Sequence, residues 1–373
     1  MRYLFLLMII SFFVSCIQKK STGSNTQLLN HSRNQYSNGF EITDTLDQRT
    51  IRVFNPWQRS NNIVLTYTLS DFQNNSSKNC IKTPVKRVVC LSTTHIAMLS
   101  ALGESDKIIA ISGARLVTNS TVRSKIEKKE IVDIGYEQNL NFELIASLKP
   151  DVIFAYGVSA DITNYVYKLS ELGLTVVLVA EYLEASPLAK AEWLKFFGEF
   201  FDKREQAASL FDTIQKKYTY ISGIALKTIN KPYVMSGMPW SGSWYVSGNK
   251  SYQAKLIDDA GGNYIWNDLD SRESVPIDLE RIFIKIKDVD YWINLSTAHS
   301  KADILAADER FATVKAFQNG NLFNNNAREN PNGGNDYWEF GTCRPDIILS
   351  DLVKIFHQEL LPDKKLYYYR KIN

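Results

Sequence analysis

The chain reads as an α/β protein: two αβ lobes with parallel sheets, joined by one long rigid helix and preceded by a small β-rich N-terminal extension. Three observations predict this. From Lys86 onward short apolar runs alternate with helical patterns, and buried strands alternating with helices make a parallel sheet covered on both faces. The alternation stops once, over residues 188–229, where a helical pattern runs with only Gly198 and Gly223 inside it. Finally, one segment occurs twice. Asn141-Phe-Glu-Leu-Ile-Ala-Ser-Leu-Lys-Pro-Asp-Val-Ile-Phe-Ala155 puts a glutamate at the head of an apolar-periodic helix that leads into a strand. Pro276-Ile-Asp-Leu-Glu-Arg-Ile-Phe-Ile-Lys-Ile-Lys-Asp-Val-Asp-Tyr-Trp-Ile293 does the same. Glu143 and Glu280 hold matching places, one to a lobe.

The elements follow in order. Arg2 and the apolar run from Tyr3 to Val14 read as an export signal, too short for a transmembrane helix of about 20 residues. The run ends in Phe13-Val14-Ser15-Cys16, which resembles a bacterial lipoprotein lipobox, so residues 1–16 are expected to be signal and lipobox and Cys16 the lipidated residue. An ordinary secretory signal is the alternative. No other stretch is long and apolar enough to span a bilayer. The expected location is periplasmic or extracytoplasmic, lipid-anchored to a membrane. Residues 17–35 are polar and predict a flexible tether. Residues 36–79 alternate apolar and polar and predict the β-rich extension. Residues 80–187 form the N-terminal lobe, 188–229 the linking helices and 230–373 the C-terminal lobe.

Within the first lobe, Arg87-Val-Val-Cys-Leu91 is a buried strand, Ser92-Thr93-Thr94 supply N-cap hydroxyls, and Gly103 closes the helix that follows. The stretch 204–217 carries the apolar stripe of an amphipathic helix. A helix resists bending because bending disturbs its hydrogen-bond ladder, so only small closure on ligand is expected. The net charge of +3 and the mixed charge pattern argue against nucleic-acid binding. Four cysteines without CxxC spacing or a His-rich cluster offer no protein-built metal site. A Cys80–Cys343 disulfide is left open, with Cys90 a buried strand residue.

With these segments in hand the chain resembles the solute-binding lipoproteins of ABC importers for iron–siderophores, haem and cobalamin, the class III periplasmic-binding-protein type. The resemblance covers roughly residues 84–362. It rests on Arg87-Val-Val-Cys-Leu-Ser, the two glutamate segments, the 204–229 helix and Leu256-Ile-Asp-Asp-Ala-Gly-Gly-Asn. The 36–79 extension falls outside it. The resemblance implies a monomer with permease and ATPase partners, and docking of Glu143 and Glu280 onto arginines of the permease. A carboxylate at a helix start stays ionised, and a bidentate arginine partner would orient the complex. The bland reading is a first-turn acid favouring its helix.

Ligands of two-lobe αβ proteins sit beyond the carboxyl ends of the strands. That places Thr93, Thr94, His95 and Tyr156 of the first lobe, and Trp240, Trp244, Arg272, Arg328 and Trp338 of the second, as candidate ligand-binding residues. Tryptophans in polar loops offer faces for conjugated ligands, and arginines pair with anionic chelates. Core packing and surface placement are the respective alternatives. No cofactor is called for beyond a chelated metal, Fe or Co, brought by the ligand itself. Iron–siderophore comes first, with cobalamin or haem as the alternative. An enzyme is not expected: no Gly-x-Ser-x-Gly elbow is present and no acid–His–Ser order fits one lobe. A periplasmic sensor or a hydrolase is the remaining, weaker reading.

Overall fold

The structure, a computed structural model, describes residues 28–32, 34–45, 48–71, 80–136, 139–158, 162–239 and 242–373. The expectations for the export signal, Cys16 and Trp240 fall outside the described residues.

Strands β1 (Leu28–Ser32), β2 (Phe40–Thr45), β3 (Arg49–Phe54), β4 (Val64–Ser70) and β5 (Cys80–Lys82) pair in chain order into one sheet. The tether expected over residues 17–35 therefore gives way to strand at Leu28, which pairs with Thr45. The alternation in β3 works as a half-buried strand should: Ile51 and Val53 point inward and are fully buried. They do not make a core of their own. Phe40, Ile42, Ile51, Val53, Leu69 and Ile81 share one apolar cluster with Val88, Cys90 and Phe154 of the first lobe.

The first lobe holds β6 (Val88–Cys90), β7 (Ile108–Ile111), β8 (Val132–Asp133), β9 (Val152–Ala155) and β10 (Val176–Leu178), in the order β10-β9-β6-β7-β8 and parallel throughout. Its helices are α1 (Thr93–Ala101), α2 (Ser120–Glu127), α3 (Phe142–Ser147) and α4 (Ile162–Glu171). The linking segment is a helix hairpin, α5 (Pro187–Phe200) and α6 (Arg204–Ala225), turned at Asp202, whose φ is +60°. Both helices bridge the lobes: on α5 Leu188 packs in the second-lobe cluster and Ala191 and Trp193 in the first, and on α6 Ala207, Phe211 and Ile214 pack in the first and Tyr218 and Ala225 in the second.

The second lobe contains β11 (Tyr233–Ser236), β12 (Trp244–Ser247), β13 (Asn263–Tyr264), β14 (Ser274–Ile277), β15 (Tyr291–Ile293), β16 (Leu322–Asn324) and β17 (Arg370–Lys371). Its main sheet runs β13-β11-β15-β16-β17, parallel except for β17, while β12 and β14 form a separate antiparallel pair. Helices α7 (Tyr252–Asp259), α8 (Leu279–Ile286), α9 (Lys301–Ala307), α10 (Lys315–Gln318) and α11 (Pro345–Phe356) cover it.

The two lobes repeat one topology. The order β7-β6-β9-β10 matches β13-β11-β15-β16, with the short β8 added at the edge beyond β7 in the first lobe. Helices α3 and α8 lead into the equivalent strands β9 and β15. The caps match as well, with Asn141 accepting from Leu144 N–H and Asp278 from Arg281 N–H. Cys80, Cys90 and Cys343 are free thiols, so no disulfide joins Cys80 to Cys343.

Candidate ligand site between the lobes

The carboxyl ends of the two parallel sheets face a common cleft, and a cavity of about 480 Å³ lies there. Tyr182, Leu183 and Glu184, which follow β10, form the first-lobe side together with Lys190 of α5. Ser236, Gly237 and Met238 follow β11, and Asn294 and Ser296 follow β15, on the other side. Arg272 and Trp338, two of the residues singled out from the sequence, also line the cavity, and Trp338 is 56% exposed.

The second-lobe side is a network of neutral polar groups. Asn294 Nδ2 donates to Gln253 Oε1 at 2.7 Å and to Ser236 Oγ at 3.2 Å, and Asn294 Oδ1 accepts from the Tyr369 hydroxyl at 2.8 Å. Asn294 holds a left-handed backbone, φ +54°, which asparagine tolerates better than most residues. Gln253 is 8% exposed, lines the cavity, and its Nε2 has no hydrogen-bond partner among the described residues. A buried donor left unpaired costs about 1–3 kcal/mol, so an acceptor arriving in the cavity would relieve it.

Charge on the first-lobe side is shaped by burial. Glu181, 2% exposed, accepts from Thr94 Oγ1 at 2.5 Å, and burial raises its pKa. Lys190 stands over the Tyr252 ring, 4.3 Å from its centroid, joining the lobes through a cation–π contact. Burial lowers the Lys190 pKa, opposed by the Glu181 and Glu184 carboxylates.

Other candidates are placed differently. Thr93 and Thr94 are half-buried at the start of α1 and lie outside the cavity lining, and Thr94 donates to the buried Glu181. Tyr156 is half-buried with its ring 6.3 Å from that of Tyr182. His95 does not open onto the cleft. It is fully buried among Phe154, Tyr156 and Phe197, and burial lowers its pKa to about 3. It sits on the inner face of α1, where the helix packs on the sheet, so the imidazole is a neutral core ring. Trp244 is also core: it begins β12, is 1% exposed, and stacks on Trp292 at 5.8 Å. Arg328 is held by Asp336 at 3.0 Å and lies over the Tyr367 ring. It lines a separate groove of about 460 Å³.

That groove marks a second junction of the lobes. Glu339, 2% exposed, accepts from Thr118 N–H at 2.7 Å and Asn119 N–H at 3.0 Å. Asn330 Nδ2 donates to the carbonyls of Arg115 and Val117 at 3.1 and 3.0 Å. A Cβ on Gly334 would fall 2.0 Å from the Leu116 carbonyl oxygen, so only glycine fits this approach.

Sequence reasoning missed Tyr182 and Asn294, although both follow strands and the same rule that named Tyr156 reaches them. It also missed Lys190, Tyr252 and Gln253, which lie on helices and carry no loop signal. Glu143 and Glu280 are exposed in the first turns of α3 and α8. Glu280 is not bare: Arg310 Nη1 reaches both its carboxylate oxygens at 3.1 Å while Arg310 also pairs with Asp308 at 2.8 Å.

Two similar lobes on a helical backbone, with a polar cleft between strand ends, define a two-lobed solute-binding protein. The profile of the periplasmic binding protein family matches residues 88–328, and the chain belongs to that family. It is 30% identical over 303 residues to the uncharacterized lipoprotein MJ0878 of Methanocaldococcus jannaschii, covering 79% of this chain and 70% of that one. It is 28% identical over 169 residues to the uncharacterized ABC transporter substrate-binding lipoprotein YvrC of Bacillus subtilis, covering 45% and 50% of the two chains. The fold is similar to that of an ABC-type Fe3+-hydroxamate transport system protein from Saccharomonospora viridis, with TM-score 0.57, 16% identity and coverage of 82% and 98%. A periplasmic heme binding protein from Pseudomonas aeruginosa gives TM-score 0.57, 16% identity and coverage of 78% and 98%.

Proposed function

We propose that this protein is the extracytoplasmic solute-binding component of an ABC importer, capturing a metal chelate between its lobes and delivering it to the permease. The single observation that carries this reading is the cleft itself. Buried Gln253, whose amide nitrogen has no partner among the described residues, and two cations, Arg272 and Lys190, line one cavity at the strand ends of both lobes. Hydroxyls and amides recognise a preformed complex by hydrogen bonding rather than by coordinating its metal, and the cations favour an anionic chelate. An iron–siderophore fits first. Haem or cobalamin is the second reading, favoured by the faces of Trp338, Tyr182 and Tyr252 in the same cavity.

Glu143 and Glu280 are the proposed permease contacts, because equivalent helix starts in two lobes report the distance between them. Lipidation of Cys16 would hold the protein at the membrane, and no helix among the described residues is long and apolar enough to cross one. Ser92 Oγ accepts the N-cap bond from Thr94 N–H and the neighbouring His95 is walled into the core, so these two do not form a nucleophile–base pair. Titration calorimetry with a ferric tris-catecholate, a ferric hydroxamate, haemin and cobalamin tests the reading. One saturable site for at least one of the four is expected, weakened by Arg272→Ala. Absence of binding by all four would refute it.

A further inference from the structure

We propose that the N-terminal sheet supplies a third wall of the ligand site, its β3–β4 loop receiving the peripheral arm of a chelate whose metal centre lies between the lobes. This deepens the functional reading above and rests on it. A second cavity, of about 740 Å³, separates that loop from the two lobes. Trp57, Gln58 and Arg59 stand on one side of it, Arg272 and Glu273 on the other. Tyr182, Leu183, Glu184 and Arg272 line this cavity and the interlobe cavity alike, so the two spaces adjoin. The family profile begins at residue 88, so the loop is an addition to the part of the chain that the profile matches.

The loop is shaped by its own bonds. Asn55 N–H donates to Ile63 O at 2.9 Å, Ile63 N–H to Asn55 Oδ1 at 3.1 Å, and Ser60 Oγ to Trp57 O at 2.5 Å. Trp57 packs by one side against the first-lobe apolar cluster that includes Leu91 and Ile153. Arg59 is held at φ +62°, a conformation non-glycine residues adopt at a cost. Its guanidinium reaches Glu273 of the second lobe at 3.6 Å.

The segment behind the loop is anchored from the helical backbone. Glu192, fully buried on α5, accepts from the N–H groups of Gln35, Tyr36 and Ser37 at 2.9, 2.9 and 2.8 Å. Glu184 accepts from Ser37 Oγ at 2.5 Å and Gly39 N–H at 3.2 Å. A Cβ on Gly39 would fall 2.8 Å from Trp193 Cζ2 and 2.9 Å from Glu184 Oε1, so glycine permits the approach. Gly39 O then accepts from Phe54 N–H at 2.8 Å, passing the anchor to the end of β3.

The charges select the occupant. Glu184 is engaged by these donors and Glu273 by Arg59, while Arg272, exposed, lines both cavities. The arm would therefore be anionic or polar, with room for a ring against Trp57.

The test compares two probes with one metal centre: the ferric complex of 2,3-dihydroxybenzoate, and the ferric complex of the same catechol carrying an acidic tripeptide arm. Dissociation constants are measured for the full chain and for Trp57→Ala and Arg59→Ala. The preference for the armed chelate is expected to fall about tenfold in each variant. An unchanged preference overturns the third wall and leaves the interlobe reading standing. Failure of the unmutated chain to bind either chelate, or to prefer the armed one, overturns this inference, whereas the functional reading falls only if the ferric hydroxamate, haemin and cobalamin fail as well. If Trp57→Ala lowers the melting temperature, Arg59→Ala decides, because its side chain is 85% exposed.

Discussion

Replacing Glu339 by glutamine probes how the lobes are held together. The carboxylate is buried at the junction and takes two backbone N–H donors from the first lobe. Burial raises its pKa from the ordinary 4.5 to about 7, outweighing those two donors, with the Asp336 charge adding to the rise. The displacement corresponds to roughly 3 kcal/mol. Its sign is fixed by proton binding. Between pH 4.5 and 7 the folded chain holds a proton at Glu339 that the unfolded chain has released, so stability falls as pH rises through that window. The glutamine variant carries no titrating group there. Urea unfolding of both proteins at pH 5 and pH 8 forms a cycle in which every other titrating group cancels. The unmutated chain is expected to lose about 3 kcal/mol more than Glu339→Gln on going to pH 8. Protection factors of the Thr118 and Asn119 amide protons, corrected for the base catalysis of exchange, should fall over the same range in the unmutated chain only. Parallel pH dependences in the two proteins would refute the burial of an ionisable carboxylate between the lobes.

The remaining expectations can be checked together. Trp244→Ala should lower stability by about 3–5 kcal/mol, as large-to-small changes in a filled core do, and leave the affinity of the folded fraction within about twofold. A large loss of affinity at unchanged stability would return Trp244 to the cleft. Trp338→Ala should weaken chelate binding by about 1–3 kcal/mol in a calorimetric titration, and an unchanged dissociation constant removes it from the site. Glu143→Ala combined with Glu280→Ala should abolish uptake by cells while leaving ligand affinity intact. Reduced affinity would move these residues from the docking faces into the site.

Much of the architecture was legible because it depends on local rules. Strand and helix alternation follows from apolar spacing, and the doubled segment is visible because Asn141 and Asp278 cap equivalent helices two residues before a glutamate. The cleft was only partly legible. Arg272 was reached by asking which loops follow strands and Trp338 as part of a segment covering one edge, and Tyr182 and Asn294 lie in reach of the first question. Trp244 misleads because Gly242 and the serines around it look like a loop, whereas the buried–exposed alternation of Trp244, Tyr245 and Val246 is that of a strand. His95 misleads because a residue at a helix start can still face the sheet beneath. The extension was the least legible part. Its anchors, Glu184 and Glu192, lie about 150 residues away in sequence, and no periodicity links a buried carboxylate to the N–H groups it will accept.

Locating the iron tests the central claim most directly. In crystals of the full chain soaked with a ferric chelate that binds in solution, anomalous diffraction at the iron edge should give one peak between Tyr182 and the Ser236–Asn294 side of the cleft. A peak elsewhere, such as the groove beside Tyr233 and His357 on the far side of the second lobe, would contradict the account.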